Sequence, residues 1–371
     1  MPYKVLVVDD SALMRAELSK IIEQDPDLEV VSTAINGKFA LDKIKQFDPD
    51  VVTLDVNMPQ MDGLECLKRI MADCPRPVVM ISSLTQEGAE ETIEALQLGA
   101  VDFVAKPSGS ISRDIDTQGR AIREKIKAAA SARGRNTFIR RQPSRPKPMA
   151  VPKPRPMAPL TPVGQAPKGA LGPAPKGPQG VVVGIGVSTG GPKTLMSLLP
   201  EIPANFPGSI VIAQHMPEKF TKSFAERLNN ICGMRVKEAE EGEVIEAGCI
   251  YIAPGGKHMR LDHRNHKLLM VRILDDVPGK IYRPSVDVLF ESLSEALGNR
   301  WVGVMLTGMG ADGAAALTAH HKAGGHSIAE SEESCVVFGM PGRVVEMGGA
   351  EFILDEDKIA EKVIQLVGEL V

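Results

Sequence analysis

A serine in a glycine-rich turn, a histidine after one apolar run and an aspartate after another could together cleave an acyl bond. The serine is Ser188 in GVSTG (186–190), which follows a run of valines and precedes the helical stretch PKTLMSLLP. The pattern is G-x-S-x-G, the elbow that lifts a serine between a strand and a helix. Glycine suits this turn because the bend is tight and a substrate must approach the backbone closely. The helix start behind it offers free N–H groups and a positive dipole end for a developing oxyanion. On its own the pentapeptide is a weak signal that fits a plain glycine-rich turn better, so its meaning depends on a base. Of the seven histidines, His258, His263, His266, His320, His321 and His326 lie in polar stretches and read as solvated surface residues. HRNH (263–266) has no nearby cysteine or acid cluster to complete a metal site. His215 differs: it directly follows SIVIAQ and precedes Pro217, a good first helical residue. TGMGADG (307–313) follows WVGVML and supplies Asp312. Three apolar strands ending in Ser188, His215 and Asp312 satisfy the logic in which a base activates a hydroxyl and an acid orients the base.

A second constellation lies near the N-terminus. Asp9 and Asp10 follow VLVV, Asp55 ends VVTLD, and Ser82 and Lys106 follow two further apolar runs. In an open α/β sheet, functional groups collect beyond the carboxyl ends of the strands. Carboxylates converging there repel one another unless a cation sits among them, and Mg²⁺ held by one or two carboxylates plus a phosphate fits that need. A lysine and a hydroxyl beside the cluster would contact phosphate oxygens.

Both constellations require strands to carry them. In the first part of the chain the runs VLVV (5–8), VVST (30–33), VVTL (51–54), VVMI (78–81) and FVA (103–105) alternate with amphipathic stretches such as LMRAELSKII and LECLKRIMA. Such alternation predicts a parallel, doubly wound sheet, here of flavodoxin-like type. The last part repeats it with VVVGIGV (181–187), SIVIA (209–213), CIYIA (249–253), WVGVML (301–306) and HSIAE (326–330). HMRLD (258–262) and KLLMVRI (267–273) alternate like a hairpin across a turn at 263–266, so this part reads as a Rossmann-like three-layer domain with an antiparallel insert. From Ser131 to Gly180 there is no Asp or Glu, but ten Lys/Arg and twelve of the 28 prolines. Such a segment lacks the apolar burial to offset the entropy of folding and reads as a semi-extended linker. The expected organisation is therefore 1–130, a linker at 131–179, and 180–371.

Composition excludes several classes. A net charge of −4 argues against nucleic acid as a bulk electrostatic partner. Five cysteines without a CxxC pair suit a reducing compartment. No run of about 18 apolar residues appears, and MPYKVLVVDD has no signal-peptide architecture, so a soluble cytoplasmic protein without membrane insertion is expected.

VLVVDDSALMR, TLDVNMPQMDGLE, MISS and FVAKP resemble the response-regulator receiver family over roughly residues 3–125. That resemblance implies that Asp55 accepts phosphate and that Asp9, Asp10, Asp55 and the Asn57 backbone carbonyl place Mg²⁺. It further implies that Ser82 is the switch hydroxyl, Phe103 the mobile aromatic, Lys106 the phosphate-pairing cation, and Lys106-Pro107 a cis bond. GVSTGGP, AQHMP, APGGKH, RPSVDVLFESL, LTGMGADGA and VFGMPG resemble the chemotaxis protein-glutamate methylesterases. With the receiver and linker, the likeness spans essentially the whole chain. It implies Ser188, His215 and Asp312 as the catalytic set, oxyanion donors among the backbone amides near Thr189 and Met309, and no cofactor at this site. The implied substrates are methylated glutamates and glutamines of chemoreceptors, with a chemotaxis histidine kinase as phosphodonor. The competing class is a non-enzymatic response regulator whose output domain binds DNA or protein; against it stand the net acidity and the lack of a basic stripe.

Three other patterns share the glycines. Gly308, Gly310 and Gly313 spell G-x-G-x-x-G with Glu330 near the distance of a ribose-binding acid, but late in the domain and without a second nucleotide signature. A P-loop fails because Pro192 stands in the GVSTGGPKT stretch where a lysine is needed. The order Ser188…His215…Asp312 disfavours the α/β-hydrolase fold, whose acid precedes its histidine.

Overall fold

The computed structural model describes residues 1–83, 85–106, 114–132, 180–264 and 268–371. The expected cis bond at Lys106-Pro107, the linker beyond residue 132 and His266 lie outside the described residues. The first unit alternates β1 (Tyr3–Val8), α1 (Ala12–Ile22), β2 (Leu28–Ala34), α2 (Gly37–Phe47), β3 (Val51–Asp55), α3 (Gly63–Asp73), β4 (Val78–Ser82), α4 (Gln86–Gln97), β5 (Asp102–Ala105) and α5 (Asp114–Ala132). Its five strands are all parallel in the order β2-β1-β3-β4-β5. Alternate residues of each strand go to opposite faces. Leu6, Val8, Val52, Leu54 and Met80 pack with residues of α2, α3 and α4, whereas Val5, Val7, Val51, Val79 and Ile81 pack with α1 and α5. Burial on both faces is why these strands read as continuous apolar runs. Helix α5 continues through Ala132, past the expected end at 130.

The second unit begins with β6 (Val181–Val187), α6 (Gly191–Leu198), β7 (Gly208–Gln214) and α7 (Phe220–Ile231). It continues with β8 (Arg235–Glu238), β9 (Cys249–Ile252), the hairpin β10 (His258–Arg264) and β11 (Leu268–Leu274), and α8 (Val286–Leu297). Then follow β12 (Trp301–Met305), α9 (Ala314–Lys322), β13 (His326–Glu330), α10 (Met340–Glu346), β14 (Phe352–Leu354) and α11 (Glu356–Leu370). Its seven-stranded parallel sheet runs β14-β13-β12-β6-β7-β9-β8, with β10 and β11 antiparallel beside it. One face carries α6, α7 and α11 over Val183, Ile185, Ile210 and Val304; the other carries α8, α9, α10 and the hairpin over Val182, Val211, Trp301 and Met305. The fold is thus two doubly wound α/β units. Strands β8 and β14 were not legible in the sequence: both are short edge strands, and RVKE carries charges because an edge is only half covered.

Two histidines expected at the surface are in the core. His320 is buried, stacks on Trp301 with ring centroids 3.8 Å apart, and shares a hydrogen bond with the Trp301 carbonyl. Burial pushes its imidazole down to about 4, so it sits there neutral. His258 is fully buried at the start of β10. Polar sequence neighbours misled here, because in an amphipathic element the next residue faces the other way.

The two units touch. Phe103 of β5 stacks on Phe220, the first residue of α7, with centroids 4.5 Å apart. Helix α4 packs along α7 and α6, and Gln97 Nε2 reaches Met196 Sδ at 3.8 Å. Val336 of the second unit packs against the first unit's core cluster on the α5 side.

Candidate functional site

The second unit's site forms where β6 lies between β7 and β12. The chain leaves β6 toward β7 and later returns to the opposite side as β12, so three carboxyl ends converge at this reversal. Ser188 follows β6, His215 follows β7, and the segment 307–312 follows β12. Ser188 Oγ lies 3.1 Å from His215 Nδ1, and His215 Nε2 lies 2.8 Å from Asp312 Oδ2. Ser188 is 7% exposed and Asp312 9%. The three side chains therefore form one continuous chain of hydrogen bonds, largely shielded from water.

Asp312 determines which way that chain runs. Its Oδ1 accepts from Ser285 Oγ at 2.9 Å and from the Asp287 amide at 3.1 Å, and its Oδ2 accepts from the Val286 amide at 2.7 Å. These donors come from the first turn of α8, whose dipole also favours an anion. Burial pushes the Asp312 carboxyl up, but the hydrogen bond and charge of His215 and the two amides outweigh it and hold it below the usual range. An ionised, acceptor-only carboxylate requires His215 Nε2 to carry the proton, which leaves the Nδ1 lone pair toward Ser188.

Glycine is required at two points. A Cβ on Gly308 would stand 2.8 Å from Ser188 Cβ, and one on Gly191 would stand 2.2 Å from Gln214 Oε1. Gln214 Nε2 in turn donates to the carbonyls of Ser188 and His215, tying the ends of β6 and β7 together. Thr307 is a second junction: its carbonyl accepts from the Ser188 amide at 3.0 Å and its hydroxyl donates to the Thr189 carbonyl at 2.9 Å. Among the described residues, the amides of Thr189 and Met309 are not taken up by a backbone carbonyl, which leaves both able to donate beside Ser188.

Glu330 does not face a nucleotide crevice. It is wholly buried and accepts from the Thr307 amide at 2.8 Å and from Ser334 Oγ at 3.0 Å. Burial pushes its carboxyl up to about 7 against the Thr307 hydrogen bond, with Glu356 adding to the rise. The native state thus keeps this proton to near neutrality, whereas the unfolded chain releases it in the ordinary carboxylate range. Stability from this group is therefore full below the ordinary carboxylate range, falls as pH rises to about 7, and is gone above it. Glu330→Gln is expected to remove up to about 3 kcal/mol of the decline between pH 5 and 8, read from urea midpoints at both pH values. Equal declines in the two proteins would exclude it.

In the first unit, Asp9 and Asp55 are buried at the ends of β1 and β3, the strands flanking that sheet's own reversal, while Asp10 is exposed. One carboxylate oxygen from each of the three lies within 4.8 Å of the others. Lys106 Nζ bridges Asp55 Oδ1 at 2.9 Å and Asp9 Oδ2 at 3.1 Å. Asp55 Oδ2 is buried without a hydrogen-bond partner among the described residues. Burial pushes the Asp55 carboxyl up to about 6, Lys106 works against this, and Asp9 adds to it. An unpartnered carboxylate oxygen within an oxygen-only cluster is the setting a hard divalent cation fits. Ser82 Oγ donates to the Gly88 carbonyl at 3.0 Å, at the start of α4, rather than to Asp55, and the Asn57 side chain donates to Glu91 of α4. Phe103 is 2% exposed, held between Phe220 and Lys125.

Sequence reasoning did not single out Ser285, Thr307, Gln214 or Tyr282. Ser285 stands in the conspicuous RPSVDVLFESL stretch and caps α8, which was the available signal. The others act through backbone groups or ring faces and leave no spacing pattern.

Two family models match the chain. A family model described as CheB methylesterase matches residues 183–363, and one described as response regulator receiver domain matches residues 5–112. The protein-glutamate methylesterase/protein-glutamine glutaminase 2 of Nitratidesulfovibrio vulgaris is 51% identical over 97% of this chain and 98% of its own length. A relative of the same description, numbered 1, from Oleidesulfovibrio alaskensis is 45% identical over 98% of this chain and 99% of its own. Among solved structures, the Thermotoga maritima CheB methylesterase catalytic domain is 43% identical, covering 51% of this chain and 99% of that one, with a TM-score of 0.49.

Proposed function

The chain belongs to the protein-glutamate methylesterase/protein-glutamine glutaminase family, and from that premise we propose that Ser188 hydrolyses glutamate methyl esters of chemoreceptors under the control of Asp55 phosphorylation. The observation that carries the catalytic reading is the buried hydrogen-bond chain from Ser188 through His215 to Asp312, itself held by three donors from the start of α8. His215 Nδ1 takes the hydroxyl proton as Ser188 Oγ attacks the γ-carbonyl. The Thr189 and Met309 amides stabilise the oxyanion that develops on the carbonyl oxygen. The tetrahedral intermediate collapses, the proton passes from Nδ1 to the leaving oxygen, and methanol departs. Water, deprotonated by the same nitrogen, then cleaves the acyl-enzyme to give glutamate. With a glutamine side chain the same steps release ammonia. The acyl chemistry is carried by this chain's own groups.

In the receiver, Asp9, Asp10, Asp55 and the Asn57 carbonyl would hold Mg²⁺, which supplies charge neutralisation for phosphoryl transfer when bound. Lys106 pairs with the incoming phosphoryl oxygens, and Asp55 supplies the accepting oxygen. A histidine kinase of the chemotaxis system is the phosphodonor, and the cytoplasmic face of the receptor is the place of work.

Control follows from the contact between the units. Phe103 sits on Phe220, a few residues beyond His215, and α4 lies on α7. A phosphoryl group on Asp55 draws Lys106 and Ser82 toward it. Ser82 then leaves the Gly88 carbonyl, and the strand end and helix that grip α7 are both disturbed. The population shifts toward an arrangement in which the Ser188 crevice is open to a receptor helix. Methanol release from methylated receptor membranes, with and without acetyl phosphate, tests both halves together. Release that rises with the phosphodonor is expected; absence of release under both conditions would overturn the reading.

A further inference from the structure

We propose that Tyr282 is a positioning residue for the reaction at Ser188: its ring sets the plane of the His215 imidazole and faces the charge that forms on it. The inference rests on the reading of Ser188 as nucleophile. His215 is held at two ring nitrogens, Nδ1 toward Ser188 and Nε2 toward Asp312. Bonded to the chain through Cβ–Cγ alone, the ring keeps one torsion of its own, rotation about that bond. That rotation carries the Nδ1 lone pair out of line with the hydroxyl proton, and the bending of two hydrogen bonds does not strongly oppose small excursions. A flat contact on the ring face does. Tyr282 supplies it, with ring centroids 4.4 Å apart and an interplanar angle of 10°.

The tyrosine is itself well placed to act as a stop. It lies three residues before Ser285, so one short segment carries both the stacked ring and the Asp312 cradle. The neighbouring Arg283 carbonyl accepts from the Gly256 amide at 3.2 Å, and Lys280 pairs with Asp287 at 3.0 Å, so the segment is fastened on both sides of the ring. At its far end, the hydroxyl would stand 3.4 Å from a Cβ built on Gly310, which places the ring along the wall that runs from His215 to the 307–312 segment. As the imidazole accepts the serine proton it becomes a cation lying against an aromatic face, a contact that gains strength as the charge develops. Tyr282 is 38% exposed, so most of the residue is enclosed by its neighbours.

The full-length chain, activated with acetyl phosphate and Mg²⁺, is compared as wild type, Tyr282→Phe and Tyr282→Leu. Two quantities are read: kcat and KM for methanol release, and the second-order rate at which a fluorophosphonate labels Ser188. In the leucine variant kcat and the labelling rate should both fall about tenfold, with KM within about twofold. The phenylalanine variant, which keeps the ring, should stay within about twofold of wild type in both. Tyr282→Gln replaces the leucine variant if the latter lacks a native far-UV spectrum. The proposal is overturned by wild-type kcat and labelling without the ring, by a phenylalanine variant as impaired as leucine, or by a change confined to KM. If the wild type labels at Ser188 yet releases no methanol, the esterase reading fails, and the labelling rates alone still decide the role of Tyr282.

Discussion

Ser188→Ala is expected to lower methanol release by about 10⁴-fold or more in the phosphorylated chain, and His215→Ala by a similar factor. The size follows from geometry: the hydroxyl and the imidazole act as one unit, so losing either loses the whole proton-transfer path. The double variant should be no worse than either single one. Asp312→Ala should differ in kind, because Asp312 also accepts from Ser285, Val286 and Asp287. Its removal leaves buried donors unpaired and should cost about 1–3 kcal/mol of stability as well as activity. Near-normal methanol release by Ser188→Ala would remove the nucleophile assignment.

Asp55→Asn should leave the basal rate of the full chain unchanged and abolish the rise with acetyl phosphate. Coupling energies between domains of this kind correspond to about 5–150-fold in rate or affinity, and that is the activation that should vanish. The fragment 180–371 should be active without a phosphodonor, since it has its own seven-stranded sheet and a core cluster drawn only from its own residues. What it lacks is the Phe103 contact on Phe220 and the receiver side of Val336, which is also the side chain that crowds Gly190 of the elbow. A fragment no more active than the unphosphorylated full chain would overturn the receiver's control of the Ser188 crevice, while leaving the chemistry at Ser188 untouched.

Among the described residues, the receiver rests on the elements that follow the β6 and β7 ends. A small change at Asp55 is therefore expected to be transmitted through packed aromatic and aliphatic contacts, which hold or release as a body because close-packed side chains do not deform continuously.

The sequence by itself determined the two parallel sheets and the residues at their strand ends. A strand buried on both faces is a continuous apolar run, so the polar residues that close it or follow it collect at the sheet's carboxyl end: Asp55 closes β3, Ser188, His215 and Lys106 directly follow their strands, and Asp312 lies in the loop after β12. Tertiary structure alone decided how those ends meet. Only the placement of β12 beside β6 brings Asp312 to His215, and only the capture of the α8 start by Asp312 settles which imidazole nitrogen faces the serine. The burial of His258 and His320, the use of Glu330 to hold Thr307, and the stacking of Tyr282 on His215 were likewise beyond the reach of local pattern. Each joins residues distant in the chain through a ring face, a backbone amide or a buried pair. Such contacts depend on sheet order and helix placement, which no spacing between neighbours encodes.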